Sequence, residues 1–375
     1  MVELFEIAPD IREASTLPAH VYTDPAYYEL CRTAVFRPSW QFVGASDTIK
    51  IPGQCHPLTL LPGCLDEPVL LTRDREDRTH CLSNVCTHRG TILCESGGVE
   101  KSLVCRYHGR RFDLDGAFRH MPEFEQVAGF PSPADDLSRV PCASWSSSGV
   151  RDGVAGDLLF ASVSPRITLE RVIAPMAARL SWLPLHEFRF DASRSRDYLV
   201  HANWALYIDN YLEGFHIPFV HASLNEAIDY GQYTTELFPY CNLQLGVAKP
   251  GESAFDLPAG SPDAGRAIAA YYWWVYPNTM FNFYPWGLSV NVVQPLGHER
   301  TRVRFLSYVW KENKLDQGAG AGLDRVERED EAVVEAVQRG TRGSFYKRGR
   351  YSPTREQGVH HFHRLLAESL FTAPR

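Results

Sequence analysis

Four residues in two short segments could hold a metal. Cys86-Thr87-His88 and, after sixteen intervening residues, Cys105-Arg106-Tyr107-His108 each pair one thiol with one imidazole. A turn glycine follows each pair, Gly90 in one case and Gly109 in the other, so two facing loops could close a four-ligand site. Thiolate and imidazole together suit zinc or iron–sulfur chemistry. Familiar Cys2His2 zinc sites group cysteine with cysteine and histidine with histidine. Mixed pairing is what a [2Fe–2S] centre with two cysteines on one iron and two histidines on the other requires. Cys94 lies between the loops but outside the pattern and reads as a packed thiol. Cys31, Cys55, Cys64, Cys81, Cys142 and Cys241 read as small buried hydrophobes.

A second set follows about 110 residues downstream, in Asp209-Asn-Tyr-Leu-Glu-Gly-Phe-His216-Ile-Pro-Phe-Val-His221. Two histidines beside carboxylates suggest two arms of a 2-His-1-carboxylate triad, the set that leaves Fe(II) open positions for O2. Five residues of ideal helix separate side chains by about 140°. Both can reach one ion only if the helix bends or ends between them, for which Gly214 and Pro218 supply reasons. For the third arm, helical periodicity over 324–339 puts Val326, Asp330, Val333, Val334 and Val337 within about 100° of one another. Asp330 is therefore expected in the middle of an apolar stripe, where an unpaired carboxylate is costly unless it meets a metal or a buried arginine. Glu327, Glu331 and Glu335 are expected as solvated charges on the flanks or far side.

These residues match a family pattern. Asn84-Val-Cys-Thr-His-Arg-Gly90, Cys105-Arg-Tyr-His-Gly109 and Phe112-Asp-Leu-Asp-Gly116 resemble the Rieske domain of ring-hydroxylating and related Rieske non-haem iron oxygenases. Arg106 and Arg110 depart from it, standing where proline and tryptophan are common; neither is a ligand, and their charge could raise the reduction potential or shape a docking face. Asn-Tyr-Leu-Glu-Gly-Phe-His-x4-His resembles the mononuclear iron motif of the family's α-subunits. Glu329-Asp330 before Val337-Gln338-Arg339-Gly340 resembles their third-ligand segment. The resemblance, over roughly residues 35–365, implies a [2Fe–2S] cluster on Cys86, His88, Cys105 and His108 and one iron on His216, His221 and Asp330. It implies that Glu213 links the iron site to His108 of a neighbouring subunit in a homotrimer, with Asp209, Asn210 and Tyr211 in support. The reaction implied uses O2 and electrons from NAD(P)H, delivered by a separate ferredoxin or flavin reductase. His360, His361 and His363 lie in a tail that also resembles the family's and read as structural.

Tyr271-Tyr-Trp-Trp-Val-Tyr276 and Phe281-Asn-Phe-Tyr-Pro-Trp286 put nine aromatics into sixteen residues. On strands, Phe281 and Phe283 share one face and Asn282 and Tyr284 the other. Most of these rings read as sheet core, while some could line a pocket over the iron, where Trp and Tyr faces cage a cation. Val275-Tyr-Pro-Asn-Thr-Met-Phe-Asn and Leu288-Ser-Val-Asn-Val-Val-Gln-Pro-Leu-Gly297 are most similar to the choline-monooxygenase and betaine-demethylase branch, which acts on small quaternary ammonium compounds. An arene or aromatic acid would also suit the rings, and an arene dioxygenase making cis-diols is the enzymatic alternative. A non-enzymatic electron carrier and a zinc-stabilised binding protein are the non-enzymatic ones.

The elements that must position these groups fall into three parts. Residues 1–40 read as an entry segment with one short helix, in which Asp24 caps and Pro25 starts, expected to pack on the catalytic domain. Residues 41–164 read as a small β domain, with runs at Ile49–Ile51, Leu58–Leu61, Val69–Thr72 and Leu158–Val163 between Pro-Gly and Asp-Gly turns. Residues 165–375 read as the catalytic domain. Pro258–Gly265 is expected as a surface loop and Asp316–Gly322 as a flexible connector. The fold class is α+β, and the resemblance implies a helix-grip arrangement of an antiparallel sheet around a long C-terminal helix. Composition agrees with a globular chain: 375 residues, 44% hydrophobic, 22% charged and net charge −7 exclude wholesale disorder and give no basic footprint for nucleic acid. No apolar run could span a bilayer and the N-terminus has no secretory pattern, so a cytoplasmic protein is expected.

Overall fold

The computed structural model describes residues 2–153 and 156–371. The chain divides into two compact units, Arg37–Glu170 and Met1–Phe36 with Arg171–Arg375. Both are built on antiparallel sheets, and the class is α+β as expected. No helix among the described residues is long and apolar enough to cross a membrane.

The unit Arg37–Glu170 carries β1 (Gln41–Ala45), β2 (Gln54–Leu60), β3 (Glu67–Arg73), β4 (Thr79–Ser83), β5 (Gly98–Val99), β6 (Leu103–Val104), β7 (Arg111–Phe112), β8 (Phe118–His120), β9 (Cys142–Ser146), β10 (Gly149–Asp152) and β11 (Leu158–Ala161). They form three sheets, ordered β1-β11-β9-β10, β4-β3-β2-β5 and β6-β7-β8. Alternation along β3 divides its side chains between two cores. Leu70 packs with Leu82, Leu103 and Phe112 around Cys86 and Cys105, while Val69 and Leu71 pack with Leu60 and Leu159. Ile49–Ile51 is not a strand. It follows a 3-10 turn at Ser46–Thr48, and Pro52-Gly53 bends the chain before β2 can begin.

In the other unit, the entry segment forms two helices, α1 (Ala19–Thr23) and α2 (Pro25–Cys31), the second running into a π-helical turn at Arg32–Phe36. Asp24 separates them: it is extended, as a residue before proline prefers, and its side chain accepts from Ala26 N at 2.9 Å. After α3 (Leu169–Arg179) comes a seven-stranded sheet of β12 (Arg189–Val200), β13 (Thr234–Leu237), β14 (Cys241–Val247), β15 (Ile268–Val275), β16 (Thr279–Tyr284), β17 (Gly287–Gly297) and β18 (Arg300–Val309), ordered β12-β18-β17-β16-β15-β14-β13. Between β12 and β13 lie α4 (Trp204–Tyr211), α5 (Ile217–Val220) and α6 (Ala222–Ala227); α7 (Leu323–Thr341) and α8 (Gln357–Phe371) follow the sheet. Helix α4 lies against β17, α7 against α4 and β12, and α8 against β13.

The register sorts the sheet's side chains into two kinds of row. Leu245, Tyr271, Phe283, Leu288 and Tyr308 pair across five neighbouring strands on one face; Gln244, Tyr272, Asn282, Ser289 and Ser307 pair on the other. The strands are buried on both faces, so the second row is a buried polar stripe rather than a solvated one.

Two expectations need correction, for α7 and for the connector 316–322. Helix α7 does not bury a valine stripe: Val337 is 45% exposed, while Glu327, Val334, Gln338 and Thr341 are its buried residues. Glu327 is buried because Tyr207 on α4 donates to it at 2.6 Å, and Gln338 because Asn203 N donates to it at 2.7 Å. The loop 258–265 is a surface loop as expected, exposed except at Ser261 and Asp263, and is pinned by Asp263, buried under Arg179 at 2.7 Å and the Tyr271 hydroxyl at 3.0 Å. The connector 316–322 is packed, with Ala319 and Gly320 buried and a Cβ at Gly320 only 2.3 Å from Trp286 Nε1.

Candidate metal centres

The segment 203–221 is helical in two pieces, one ending before both histidines and a single turn lying between them. Asn203 caps α4 by accepting from Ala205 N at 2.9 Å, and α4 ends at Tyr211. At Gly214 any Cβ would sit 2.6 Å from the Tyr233 ring, so the chain can pass there only as glycine. His216 then stands just before the single turn α5 and His221 just after it. This brings their rings to 5.0 Å between centroids and nearly perpendicular.

His216 Nε2 and His221 Nε2 lie 3.1 Å apart, Asp330 Oδ1 lies 3.0 Å from His221 Nε2, and His216 Nε2 lies 3.5 Å from Asp330 Oδ1. Donors about 2.1 Å from one ion and at right angles to one another are about 3.0 Å apart. The three atoms therefore fit one face of an octahedral ion, and these residues form a group able to hold a metal. Each imidazole is fixed through its other nitrogen: His216 Nδ1 lies 2.5 Å from Glu213 Oε1 and His221 Nδ1 lies 2.8 Å from Glu329 Oε2. A carboxylate at Nδ1 holds the proton there and turns the Nε2 lone pair toward the metal. Burial alone would lower the His221 pKa, but Asp330 and Glu329 outweigh it and the net shift is upward. Hydrogen bonding to His221 holds Glu329 below the usual carboxylate range.

The other residues named from sequence divide. Asn210 donates to Asp330 Oδ1 at 2.6 Å and orients it. Tyr211 donates to Asn282 at 2.6 Å on the polar row of the sheet. Asp209 does not reach the donors. It accepts from the Tyr22 hydroxyl at 2.7 Å and meets His363 Nε2 at 2.7 Å, and Tyr351 meets the other nitrogen of His363 at 2.6 Å. Asp209 thus ties α1, α4 and α8 together. Sequence reasoning reached Glu329 only inside a motif and took Glu327, which is 3% exposed, for a solvated charge. The readable signal for Glu327 is its place one turn before Asp330, which puts both on one helix face.

The three donors form part of the wall of a cavity of about 100 Å3. Tyr211, Tyr233, Tyr272 and Tyr284 line it, with Gln244, Asn282 and Asn291 from the sheet and Tyr207 and Glu327 between α4 and α7. Tyr272 meets Tyr284 edge-on at 5.9 Å and Tyr233 at 6.4 Å.

In the other unit, two loops repeat one turn. Gly90 N donates to Cys86 O at 3.0 Å and Gly109 N to Cys105 O at 2.9 Å, with both glycines at positive φ. Each turn buries its cysteine and carries its histidine outward; the rings of His88 and His108 stand 4.8 Å apart, and His108 is exposed. Two buried thiols facing two outer imidazoles suit a cluster with cysteine on its inner iron and histidine on its outer one. Arg110 is 2% exposed, paired with Asp135 at 2.7 Å, and enclosed by Phe112, Phe118 and Phe130, whose centroids are 4.9–5.6 Å from the guanidinium carbon. It occupies the core as a large aromatic would, but with a charge. Arg106 is exposed. Cys94 is half-buried and its backbone is clamped by Asn84 at 2.7 and 2.9 Å.

Residues 39–131 match the family described as Rieske [2Fe-2S] domain, and residues 181–371 match the ring hydroxylating alpha subunit (catalytic domain). The chain is 31% identical to a chloroplastic choline monooxygenase of Arabidopsis thaliana, over 99% of this chain and 86% of that protein. It is 30% identical to the carnitine monooxygenase oxygenase subunit of Escherichia coli (strain K12), over 95% and 94%. Among solved structures, the quaternary ammonium Rieske monooxygenase CntA in complex with L-carnitine superposes with a TM-score of 0.77 at 22% identity, over 98% and 99% of the two chains. Naphthalene 1,2-dioxygenase from Rhodococcus sp. gives 0.70 at 18%, over 94% and 93%. At these identities the solved structures speak for the fold.

Proposed function

The chain belongs to the Rieske-type ring-hydroxylating oxygenase α-subunits, and from that premise we propose that it oxidises a small quaternary ammonium compound, by hydroxylation or by N-demethylation. As a terminal oxygenase it takes electrons from a separate reductase and O2 as co-substrate. The net change consumes one O2, two electrons and two protons, leaving one oxygen atom in the substrate and the other in water. An N-methyl group hydroxylated in this way leaves as formaldehyde. The observation that carries the reading is the cavity beside His216, His221 and Asp330, walled by Tyr211, Tyr233, Tyr272 and Tyr284. Tyrosine faces attract a cation that has no N–H to donate.

Cys86, His88, Cys105 and His108 would hold the [2Fe–2S] cluster, and His216, His221 and Asp330 the mononuclear iron. When bound, the cluster supplies single electrons and the iron supplies O2 activation. Glu213 and Glu329 keep protons on the Nδ1 atoms, Asn210 holds Asp330, and the tyrosine wall keeps bulk water from the reacting carbon. We assign Glu213 a second role, as the acceptor for an imidazole N–H of His108 from a neighbouring copy in a homotrimer. Supporting this, His108 is exposed, Tyr107 beside it is 59% exposed, and Phe219 beside the iron site is 80% exposed, rings that an interface would cover.

The test is product analysis with a generic reductase over a panel of choline, betaines, aromatic acids and arenes. Formaldehyde or a hydroxylated ammonium product supports the reading; a cis-diol from an arene, with no turnover of any ammonium compound, overturns it.

A further inference from the structure

The cavity carries a carboxyl group that the site as described leaves unmatched. Three carboxylates line it, and two have evident employment: Glu213 is held by His216 and Asp330 belongs to the metal donors. Glu327 has neither. It is 3% exposed, its Oε2 accepts from the Tyr207 hydroxyl at 2.6 Å, and its Oε1 is buried without a hydrogen-bond partner. No ion pair to it is found among the described residues, and no lysine or arginine is among the described residues that line the cavity. A carboxylate buried in this way is costly: burial together with Asp330 pushes its pKa well above the ordinary range, so its charged form calls for a cation in the cavity.

We infer that Glu327 supplies the counter-charge for the substrate's ammonium head, and that the substrate is a monocation with no acid group. The inference rests on the reading above that the substrate is a quaternary ammonium compound and narrows it. The tyrosine rings recognise the shape and diffuse charge of an alkylated ammonium, but they give a cation only a modest preference over a neutral group of the same shape. Glu327 gives charge selectivity. Even with an Fe(II) ion's two charges set against Asp330 and Glu213, a zwitterion would bring its own carboxylate beside Glu327, and no lysine or arginine among the described lining residues would receive it. That repulsion separates an amino alcohol from a betaine, although the two share an ammonium head.

The inference is tested by calorimetric binding to the metal-loaded protein without O2, using choline, glycine betaine and 3,3-dimethylbutan-1-ol, the neutral carbon analogue of choline. A carboxylate about 5 Å from an ammonium at the effective dielectric of a protein site corresponds to roughly a 100-fold preference for choline over the neutral analogue. Wild type should show that preference and should bind betaine more weakly than choline. In Glu327→Gln, which keeps an acceptor for Tyr207, the preference should fall to a few fold with the neutral analogue's affinity unchanged. Glu327→Asp keeps the carboxylate, so it should retain the preference, which a purely structural role for Glu327 would not predict. Equal binding of choline and its neutral analogue by wild type overturns the inference even if the variants do not fold. So does betaine binding as tightly as choline, or a preference that survives in Glu327→Gln. If wild type binds none of the ammonium probes and takes benzoate or toluene instead, the proposed substrate class itself fails.

Discussion

Replacing Glu329 by glutamine tests how the mononuclear site is held. The carboxylate lies 2.8 Å from His221 Nδ1 and is itself steadied by Arg325 at 3.2 Å. Glutamine keeps the size and can still accept, but its amide can also turn and donate. A donor at Nδ1 moves the imidazole proton to Nε2, where it blocks the metal. Changing such a hydrogen-bond partner of a ligating imidazole costs about 10- to 100-fold in metal affinity, or roughly 1.4–2.8 kcal/mol. Arg325→Ala is the comparison. Its guanidinium is mostly exposed, and an exposed pair contributes at most about 1 kcal/mol, so its loss should change affinity less than about fivefold. The assay is an anaerobic competition between the protein and a ferrous chelator, with the cluster's visible absorbance as an internal control on the same sample. The expected result is a weakened third iron in Glu329→Gln with the cluster spectrum intact. Iron retention equal to wild type, or an equal loss in Arg325→Ala, would refute the argument that the charge at Nδ1 sets the tautomer.

Three further outcomes follow from the geometry. Asp330→Ala should leave two irons per chain, those of the cluster, whereas Glu331→Ala, which meets none of the donors, should keep three; metal analysis against protein concentration decides. Arg110→Met keeps the bulk between Phe112, Phe118 and Phe130 but strands Asp135, so a loss of about 2 kcal/mol is expected in denaturant melts. Because the Arg110 charge acts on both Cys86 and His88, the cluster midpoint should also fall by on the order of 40 mV in a spectroelectrochemical titration. His361, whose Nδ1 is buried without a hydrogen-bond partner, has its pKa lowered by burial to about 4 from 6.5. Above pH 6.5 neither folded nor unfolded chain binds this proton. Between 6.5 and about 4 only the unfolded chain does, so stability drops as pH falls, by about 3 kcal/mol in all. Melting curves of His361→Phe should lose that part of the acid limb while keeping the contact with Trp274.

Much of this site is written in short stretches of chain, because its geometry is local. The spacing of Cys86 to Gly90 and of Cys105 to Gly109 determines two tight turns, each of which buries a thiol and turns an imidazole outward whatever surrounds it. Gly214 interrupts the helix ahead of His216, Pro218 stands in the first turn of the short helix that ends at His221, and strand alternation puts Asn282 and Tyr284 on the face opposite Phe281 and Phe283. Tertiary structure decided the rest, and in each case a partner distant in sequence reversed a rule that treats polar residues as outward-facing. Tyr207 draws Glu327 inside and Asn203 draws Gln338, so the buried face of α7 differs from its apolar stripe, and Val337 is left at the surface. Arg179 buries Asp263 in what reads as a surface loop. Tyr22 and His363 hold Asp209 away from the metal donors although it adjoins Asn210 in the same motif. Periodicity ranks side chains by their own affinity for water, whereas burial of a polar group depends on whether another part of the chain satisfies it. That second condition exists only once the chain has folded.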